Sequence, residues 1–344
     1  MRWLKAIGLL ITLGGIGAGV VAADYFRFLH SPMTPTADAP EILEIERGAS
    51  VRRVADRLEQ TGWIDRPLYF RLTARFRDVA TRMQAGEYRL EAGQTPYRLL
   101  DRLIAGDVVK YRFTVIEGWT FERMRSALQQ HPAIEVTLAD ADHDAVMAEL
   151  GQNDMHPEGW FYPDTYTFAR GTTDLQIYQW AHQRMQRVLD EEWESRADDA
   201  PVDSPYEALI LASIIERETG VADERARVAG VFAERLDIGM RLQTDPTVIY
   251  GLGDDYTGRL RYRDLRRDTP YNTYTRAGLT PTPIALPGRP AIRAALHPER
   301  RGEFYFVATG DGGHVFSETL QEHNEAVIKY QLDGDASRLR GYQP

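Results

Sequence analysis

Two glutamates end the largely apolar helical stretch ALILASIIERETG, residues 208–220. Glu216 and Glu218 lie at the predicted carboxyl end of this helix, and Gly220 is predicted to occupy the first position beyond it. The helix dipole and partial burial both disfavour an ionised carboxylate there, so they raise its pKa toward the range of a general acid. At about 100° per residue the two side chains point to nearly opposite faces. They therefore cannot form a cooperating pair by themselves.

Ion pairing is the alternative explanation for these carboxylates. Arginines close to the helix end in sequence could neutralise one or both of them; the candidates are Arg217, Arg225 and Arg227. An ion-paired carboxylate keeps a low pKa and is poorly suited to donating a proton. Taken alone, the helix end fits both explanations.

The segment MRLQTDPTVIYG, residues 240–251, supplies a second group of polar side chains. Asp245 precedes Pro246, an order typical of a helix start, and is predicted to cap the helix that follows. Gln243 and Thr244 are predicted to lie in the loop before that helix, free to donate hydrogen bonds. These three residues are candidates for substrate binding.

A third group lies in the proline-rich segment TPYNTYTRAGLTPTPIALPG, residues 269–288. A long, rigid loop of this kind more often forms the wall of a binding site than a spacer. Tyr271, Asn272 and Tyr274 are predicted to line such a cleft. The aromatic stretch PEGWFYPDTYTF, residues 157–168, fits either a sugar-binding face or an ordinary core.

The elements that must position these residues predict an α+β fold. Helices are predicted to begin at Ser50, Thr95 and Thr120, and a hairpin with a Gly-rich turn is predicted near residues 304–316. A sequence of 344 residues is long enough for more than one folded domain. The predicted segments are an N-terminus and transmembrane helix (1–30), a linker (31–40), a small α+β module (41–108), a larger mixed α+β catalytic domain (109–330) and a polar tail (331–344).

The N-terminal segment is predicted to anchor the chain in a membrane. Residues 6–23 carry no charge, and Arg2 and Lys5 precede them. An apolar stretch of about 20 residues crosses a bilayer, and positive charges favour the cytoplasmic side. The expected topology is single-pass in the cytoplasmic (inner) membrane, with the N-terminus inside and the catalytic domain outside, in the periplasm. A cleaved signal peptide is the alternative.

Composition narrows the chemistry further. The net charge of −10 argues against nucleic acid as a partner, and the absence of cysteine excludes thiolate catalysis and disulfides. His314 and His323 do not have the spacing of a metal-binding motif, and no serine-nucleophile motif is present. No metal or other cofactor is expected.

Several long motifs, in order, closely resemble the YceG-like family of endolytic murein transglycosylases. They are EGWFYPDTYTF, ASIIERET, RLQTDPTVIYG, PYNTYTRAGLTPTPIALPG, AALHP and YFVATGDGGHVFSETLQEHN. The resemblance implies an inner-membrane enzyme that cleaves nascent peptidoglycan glycan strands between N-acetylmuramic acid and N-acetylglucosamine, in partnership with peptidoglycan synthases. It implies Glu218, the second glutamate of the E-x-E motif, as the catalytic residue. Glu216, at the same helix end, is a candidate supporting residue. EIERGASVRRVADRLEQTGWI, at the start of the small module, resembles a LysM-like element, so that module is either a sugar binder or a spacer.

Two other functions are alternatives to a transglycosylase. A glycan hydrolase normally needs two carboxylates, and Asp245 is the best second candidate, although a capping role would already explain it. A noncatalytic, membrane-anchored scaffold that binds peptidoglycan would use the anchor and the small module equally well. The glutamate at the end of an apolar helix favours catalysis.

Overall fold

The computed structural model describes residues 2–35 and 41–341, without the side chains of residues 2, 4–6, 8–11, 340 and 341. The α-helices are α1 (Arg2–His30), α2 (Val51–Gln60), α3 (Pro67–Phe76), α4 (Pro96–Ala105), α5 (Phe121–Gln129), α6 (His143–Glu149), α7 (Asp174–Glu194), α8 (Pro205–Glu218), α9 (Arg225–Asp237), α10 (Asp245–Leu252), α11 (Tyr262–Arg266), α12 (Arg289–Leu296) and α13 (Leu320–Gln331). The strands are β1 (Ile42–Ile45), β2 (Gly86–Arg89), β3 (Lys110–Thr114), β4 (Ile134–Glu135), β5 (Thr165–Ala169), β6 (Thr172–Thr173), β7 (Tyr305–Ala308) and β8 (His314–Ser317).

The strands pair two by two, as β1–β2, β3–β5, β4–β6 and β7–β8. The first and last pairs are antiparallel, with Leu43 opposite Tyr88 and Phe306 opposite Phe316. Helices therefore supply most of the packing surface, and the mixed α+β class predicted from the sequence is confirmed.

The chain divides into two compact units. The first comprises Met1–Arg112 and Thr167–Thr172. Its core is built from α2, α3, α4 and the β1–β2 pair, whose fully enclosed side chains include Leu58, Phe70, Tyr88, Leu99 and Leu100. The short return of residues 167–172 to this unit was not indicated by the sequence.

The helix starts of the first unit follow the capping residues seen in the sequence. The hydroxyl of Ser50 accepts a hydrogen bond from the backbone N–H of Arg53 at 3.3 Å, and that of Thr95 accepts one from Arg98 at 3.2 Å. Each bond satisfies an N–H group that has no partner within the helix. These two caps fix where α2 and α4 begin.

Helix α1 covers the predicted anchor and belongs to the first unit, where it contacts α3 and α4. Near its end, Asp24 forms an ion pair with Arg66, and the hydroxyls of Tyr25 and Thr73 lie 2.7 Å apart. Among the residues that the structure describes, no helix has the length and apolar character needed to cross a membrane. Part of the predicted linker, residues 36–40, and the end of the predicted tail, residues 342–344, lie outside the described residues.

The second unit comprises Phe113–Tyr166 and Thr173–Pro344, and α8 is its central helix. Every residue of α8 from Ala208 to Ile215 is buried, as expected for a helix that is apolar on all sides. Helix α12 packs along it, and α7, α9 and α10 also contact it. This surrounding protein leaves the two ends of α8 partly exposed, residues 205–207 in its first turn and residues 216–218 in its last.

The proline-rich segment runs beside α8. The backbone N–H of Ile284 donates to the hydroxyl of Ser213 at 2.9 Å. Gly159 comes so close to this segment that an added Cβ would lie 2.5 Å from Pro283. The close approach fixes the distance between the 157–161 stretch and the proline-rich segment.

A second close approach, between the backbones at Gly230 and Glu299, fixes the position of α9. A Cβ added to Gly230 would lie 2.0 Å from the carbonyl oxygen of Glu299, so no larger side chain fits there without moving the backbone. The backbone N–H of Glu299 also donates to the carbonyl of Ala226, one turn earlier in α9, at 2.8 Å. Helix α9 is therefore held against the segment that follows α12.

The end of α8 lies where the sequence predicts it. The helix ends at Glu218, Thr219 is the extended C-cap residue (φ −136°, ψ 131°), and Gly220 follows at C′ without the left-handed backbone that is common at that position. The hydroxyl of Thr219 accepts a hydrogen bond from Val221 N at 3.0 Å and turns the chain away. The short helices α6 and α11 and the strand β5 were not predicted.

Candidate active site

Glu218 is the last residue of α8, and its carboxylate meets the loop before α10. The hydroxyl of Thr244 donates a hydrogen bond to Oε2 of Glu218 at 2.5 Å. Thr244 itself is almost fully buried, whereas the Glu218 side chain keeps some exposed surface. The carboxyl group is thus fixed by one neutral donor and remains accessible.

The surroundings of Glu218 favour its protonated form. Burial raises the pKa of the Glu218 carboxyl above its ordinary value, and the nearby Asp245 carboxylate acts in the same direction. The Thr244 hydroxyl and the positive charges of His314 and Arg235 oppose this rise in pKa. Burial is the largest of these effects, so the carboxyl is suited to donating a proton.

Thr273 holds the loop that carries Thr244. Its hydroxyl accepts the backbone N–H of Thr244 at 3.1 Å and lies 2.8 Å from the hydroxyl of Thr247, while its carbonyl accepts the N–H of Gln243 at 3.2 Å. Gln243 adopts a left-handed backbone conformation with φ of 51°, which is strained for a residue with a side chain. The loop is therefore held in one defined shape.

Asp245 does not cap α10, which corrects the prediction. It is the first residue of the helix, the N-cap position belongs to Thr244, and neither side chain makes a capping bond. The hydroxyl of Thr244 points to Glu218 instead. The exposed Asp245 carboxylate accepts a hydrogen bond from the Tyr274 hydroxyl at 2.7 Å. Two carboxylates, those of Glu218 and Asp245, therefore lie near each other at the start of α10.

Asn272 lies in the protein interior rather than on a cleft surface. Its side chain has no exposed surface, and its amide donates to the carbonyl oxygens of Leu265 at 3.0 Å and Arg267 at 2.8 Å. Its carbonyl oxygen accepts the N–H of Tyr274 at 2.8 Å. Asn272 therefore has a structural role, since its hydrogen bonds hold the loop together. Gln243 and Tyr274, in contrast, keep exposed surface beside Asp245 and Glu218.

Tyr271 points toward the other end of α10. Its ring lies 4.9 Å from that of Tyr250, and its hydroxyl lies 2.9 Å from that of Thr282 in the proline-rich segment. Tyr271 and Tyr274 thus flank α10 from opposite ends.

Glu216 belongs to a different environment. One of its carboxylate oxygens accepts the backbone N–H of Gly288 at 2.9 Å. Burial raises the pKa of Glu216, and the Glu117 carboxylate adds to this rise. The last turn of α8 therefore directs its two glutamates to separate partners, as expected from helix geometry.

The arginines near this helix end do not neutralise it. Within the described residues, neither Glu216 nor Glu218 forms an ion pair; Arg227 pairs with Glu303, with 2.8 Å between Nε and Oε2. Arg217 donates to the carbonyl of Gly118 at 3.1 Å. Ion pairing therefore does not explain these two carboxylates.

Glu158 is a buried carboxyl that sequence reasoning missed. It accepts the backbone N–H of Phe121, at the start of α5, at 3.0 Å, and the hydroxyl of Tyr250 at 3.1 Å. Burial raises its pKa to about 8. The only sequence signal was a glutamate within an aromatic, proline-containing stretch, which gives no indication of its partners.

The described residues contain no group of three or more His, Cys, Asp or Glu side chains arranged to hold a metal. His314 is held by Glu224, which accepts its backbone N–H at 3.0 Å and lies 2.7 Å from Nδ1. His323 stacks on Tyr305, with 5.1 Å between ring centroids. The two histidines thus have separate protein partners.

Comparison with known proteins identifies the family of the chain. The sequence model of the YceG-like family matches residues 43–329, which include every candidate site residue. The chain belongs to the YceG-like family. A relative from Bacillus subtilis, named endolytic murein transglycosylase, is 32% identical over 323 residues, covering 89% of each chain. A relative of the same name from Streptococcus pneumoniae is 25% identical, covering 83% of this chain and 57% of its own length.

A solved structure extends the YceG-like assignment to the fold. The crystal structure of a YceG-like protein from Listeria monocytogenes has a TM-score of 0.53 and 29% sequence identity with this chain. The match covers 83% of this chain and 97% of that one. The chain therefore shares its fold with a YceG-like protein over most of its length.

Proposed function

We propose that the chain is an endolytic murein transglycosylase, a lyase that cuts peptidoglycan glycan strands without water, with Glu218 as general acid and then general base. The observation that carries this proposal is an accessible carboxyl with a raised pKa, fixed by Thr244 at the end of a buried helix. Two relatives that bear this enzyme name support the substrate class.

The reaction begins with proton donation. Protonated Glu218 gives its proton to the glycosidic oxygen between N-acetylmuramic acid and N-acetylglucosamine, and the bond from this oxygen to C1 of the muramic acid breaks. The ring passes through an oxocarbenium-like state, and the N-acetylglucosamine leaves as an alcohol. The Thr244 hydroxyl stabilises the Glu218 carboxylate that is left.

The second step returns the proton. The Glu218 carboxylate removes the proton from the C6 hydroxyl of the same muramic acid ring, and the C6 oxygen forms a new bond to C1. The product is a 1,6-anhydro end, no water is consumed, and Glu218 is protonated again. An intramolecular nucleophile has a large entropic advantage over water, so a second carboxylate is not required.

Asp245 favours the acid form of Glu218 in this scheme. Its negative charge raises the pKa of Glu218, and its own carboxylate is held by Tyr274. We place the glycan along the exposed faces of Gln243, Asp245 and Tyr274, with Tyr271 further along the same loop. Thr244 and Asn272 act from beneath this surface, because both are buried.

A glycan hydrolase is the second candidate, and one observation favours it. Asp245 is exposed, lies near Glu218 and has no capping role that would explain its presence. Inverting glycosidases place their two carboxyl groups about 6.5–9.5 Å apart, with one activating a water molecule. In that scheme Asp245 would be the base.

Product mass separates the two candidates. Full-length protein acting on purified peptidoglycan is expected to release strands lighter than hydrolysis products by one water. Glu218→Gln should nearly abolish release, since the amide cannot donate the proton, whereas Glu207→Gln in the first turn of the same helix should remain active. Products with ordinary reducing ends would establish the hydrolase, and an active Glu218→Gln would transfer the role to Glu216.

We also propose a single-pass anchor with the catalytic unit outside the cytoplasmic membrane. The uncharged run of residues 6–23 after Arg2 and Lys5 supports it. Peptidoglycan synthases are the partners that the family resemblance suggests, and the LysM-like module is a candidate second contact for the glycan. A reporter fused after Pro344 should be active only in the exported compartment, and cytoplasmic activity would refute this topology.

A further inference from the structure

Arg235 is a buried cation in α9 without a carboxylate in direct contact. Its side chain is 7% exposed, and its guanidinium donates only to backbone carbonyl oxygens in the described structure. The acceptors are Phe304 at 2.6 Å, Leu242 at 2.6 Å and Arg241 at 3.3 Å. A buried charge is usually paired, so a guanidinium that carbonyls alone hold requires an explanation.

The position of these carbonyls provides the first part of that explanation. Leu242 immediately precedes Gln243, the residue in the strained left-handed conformation, and Thr244 follows it. A strained residue persists only where its neighbours hold it on both sides. Arg235 fixes the chain before the strained residue, and the bond from Thr244 to Glu218 fixes the chain after it.

The charge of Arg235 provides the second part. Arg235 acts on Glu218 across a gap, and its positive charge opposes the rise in the pKa of Glu218. Two other charged groups face Glu218: Asp245 from α10, which raises its pKa, and His314 from β8, which lowers it. His314 is charged only when protonated, whereas an arginine stays charged throughout the working pH range.

Other groups surround the guanidinium itself. Tyr305 from β7 lies beneath it, with 5.3 Å from the guanidinium carbon to the ring centroid, and Tyr274 faces it from the loop. His323 from α13 stacks on Tyr305, and burial together with the charge of Arg235 lowers the pKa of His323. Burial lowers the pKa of Arg235, and Tyr305, Tyr274 and Glu218 counteract this. Among the groups that face it, Glu218 is therefore the carboxylate with which Arg235 interacts.

We propose that Arg235 is a positioning residue of this active site. Its bonds to carbonyl oxygens hold the strained turn that aims Thr244 at Glu218, and its fixed charge stabilises the Glu218 carboxylate after the proton has been donated. The proposal rests on the assignment of Glu218 as acid and base. In this proposal α9 contributes to the reaction through Arg235, although Arg235 does not contact the reacting atoms.

The two effects can be separated by substitution. Arg235→Lys keeps the charge but cannot make all three bonds, so kcat should fall roughly 10- to 100-fold, as for a small misplacement of a reacting group. The alkaline limb of its pH–rate profile should stay where it is. Arg235→Gln and Arg235→Met remove the charge, so the pKa of Glu218 should rise and the limb should move to higher pH.

A measurement that does not need activity completes the test. In the full-length protein labelled with ¹³C at glutamate carboxyls, the resonance missing from Glu218→Gln identifies Glu218, and its titration gives the pKa directly. This pKa should rise in Arg235→Gln and Arg235→Met and stay unchanged in Arg235→Lys. Arg227→Met is the matched control, because Arg227 lies in the same helix but pairs with Glu303.

Each outcome decides the proposal. An unchanged Glu218 titration in a folded Arg235→Gln or Arg235→Met variant would overturn the electrostatic role. If neither uncharged variant folds, Arg235→Lys decides, since a wild-type kcat there would overturn the role of the carbonyl bonds. Failure of the proposed function would show differently, as full activity of Glu218→Gln, and would leave the titration result unaffected.

Discussion

The two ends of α10 each meet a carboxyl whose pKa is raised by burial, yet the two regions differ in what they expose. At the start of α10, Glu218 has one neutral hydroxyl as its partner and keeps exposed surface. Toward the end of α10, Glu158 accepts hydrogen bonds from the Tyr250 hydroxyl and from the N–H of Phe121, and it is only 3% exposed. A raised pKa alone therefore does not indicate a catalytic acid; it must coincide with access for the substrate.

The largest expected effect compares the two carboxyls by the same substitution. Glu218→Gln should lower kcat on peptidoglycan by about 10²–10⁴, the usual contribution of a general acid or base. Glu158→Gln should leave kcat within about threefold, because the amide can still accept from Phe121 and keeps the shape. Turnover of purified glycan strands measures both. A comparable loss in the two variants would remove the distinction between the two regions.

The next effect concerns stability at Glu158. Its pKa is raised from 4.5 to about 8 in the folded protein. Between these pH values the folded state therefore keeps a proton on Glu158 that the unfolded state has lost. Stability should therefore fall as pH rises through this window, by about 1.4 kcal/mol per pH unit from this group. Urea unfolding of wild type and Glu158→Gln at several pH values measures it, and equal pH slopes for the two proteins would contradict the assignment.

The loop that contains Asn272 contacts both ends of α10, through Tyr271 and Tyr274, and so links the two regions. Asn272→Ala removes its bonds to Leu265, Arg267 and Tyr274, and a stranded buried group costs roughly 1–3 kcal/mol. We expect a lower Tm together with weaker activity, since the same loop places Thr273 against Thr244. Tyr274→Phe, which loses one exposed bond to Asp245, is the milder control. A fully stable Asn272→Ala with a raised KM would indicate direct substrate contact.

The smallest effect is a shift in pH dependence. Asp245→Asn removes a negative charge that raises the pKa of Glu218, so that pKa should fall. The acid form is then lost at a lower pH, and the alkaline limb of the pH–rate profile moves down. The rate at neutral pH should fall by less than about tenfold, because the proposed acid, Glu218, is retained. Complete inactivity would favour Asp245 as the base of a hydrolase.

The sequence predicted those features that depend on neighbours along the chain. Ser50, Thr95 and Thr120 each cap a helix through a bond to a backbone N–H three residues later. The opposite directions of Glu216 and Glu218 also follow from spacing within one helix. The family resemblance, which rests on several ordered motifs, is confirmed by the match to residues 43–329.

The features that were missed depend on partners distant in sequence. Asp245 was expected to cap α10, but Tyr274 binds it from 29 residues away. Arg235 meets a carbonyl 69 residues away, and Glu158 meets a hydroxyl 92 residues away. No periodicity in the sequence encodes such contacts, because packing decides them.

The close approach at Gly230 affects how variant libraries of this protein should be interpreted. Because a Cβ there would collide with the Glu299 carbonyl, any other residue would shift α9 and, with it, the direction of Arg235 further along the helix. In a selection for growth, position 230 would then tolerate as few substitutions as Glu218. Low tolerance at this glycine would reflect the spacing of two backbones, and a map based on tolerance alone would wrongly include it in the active site.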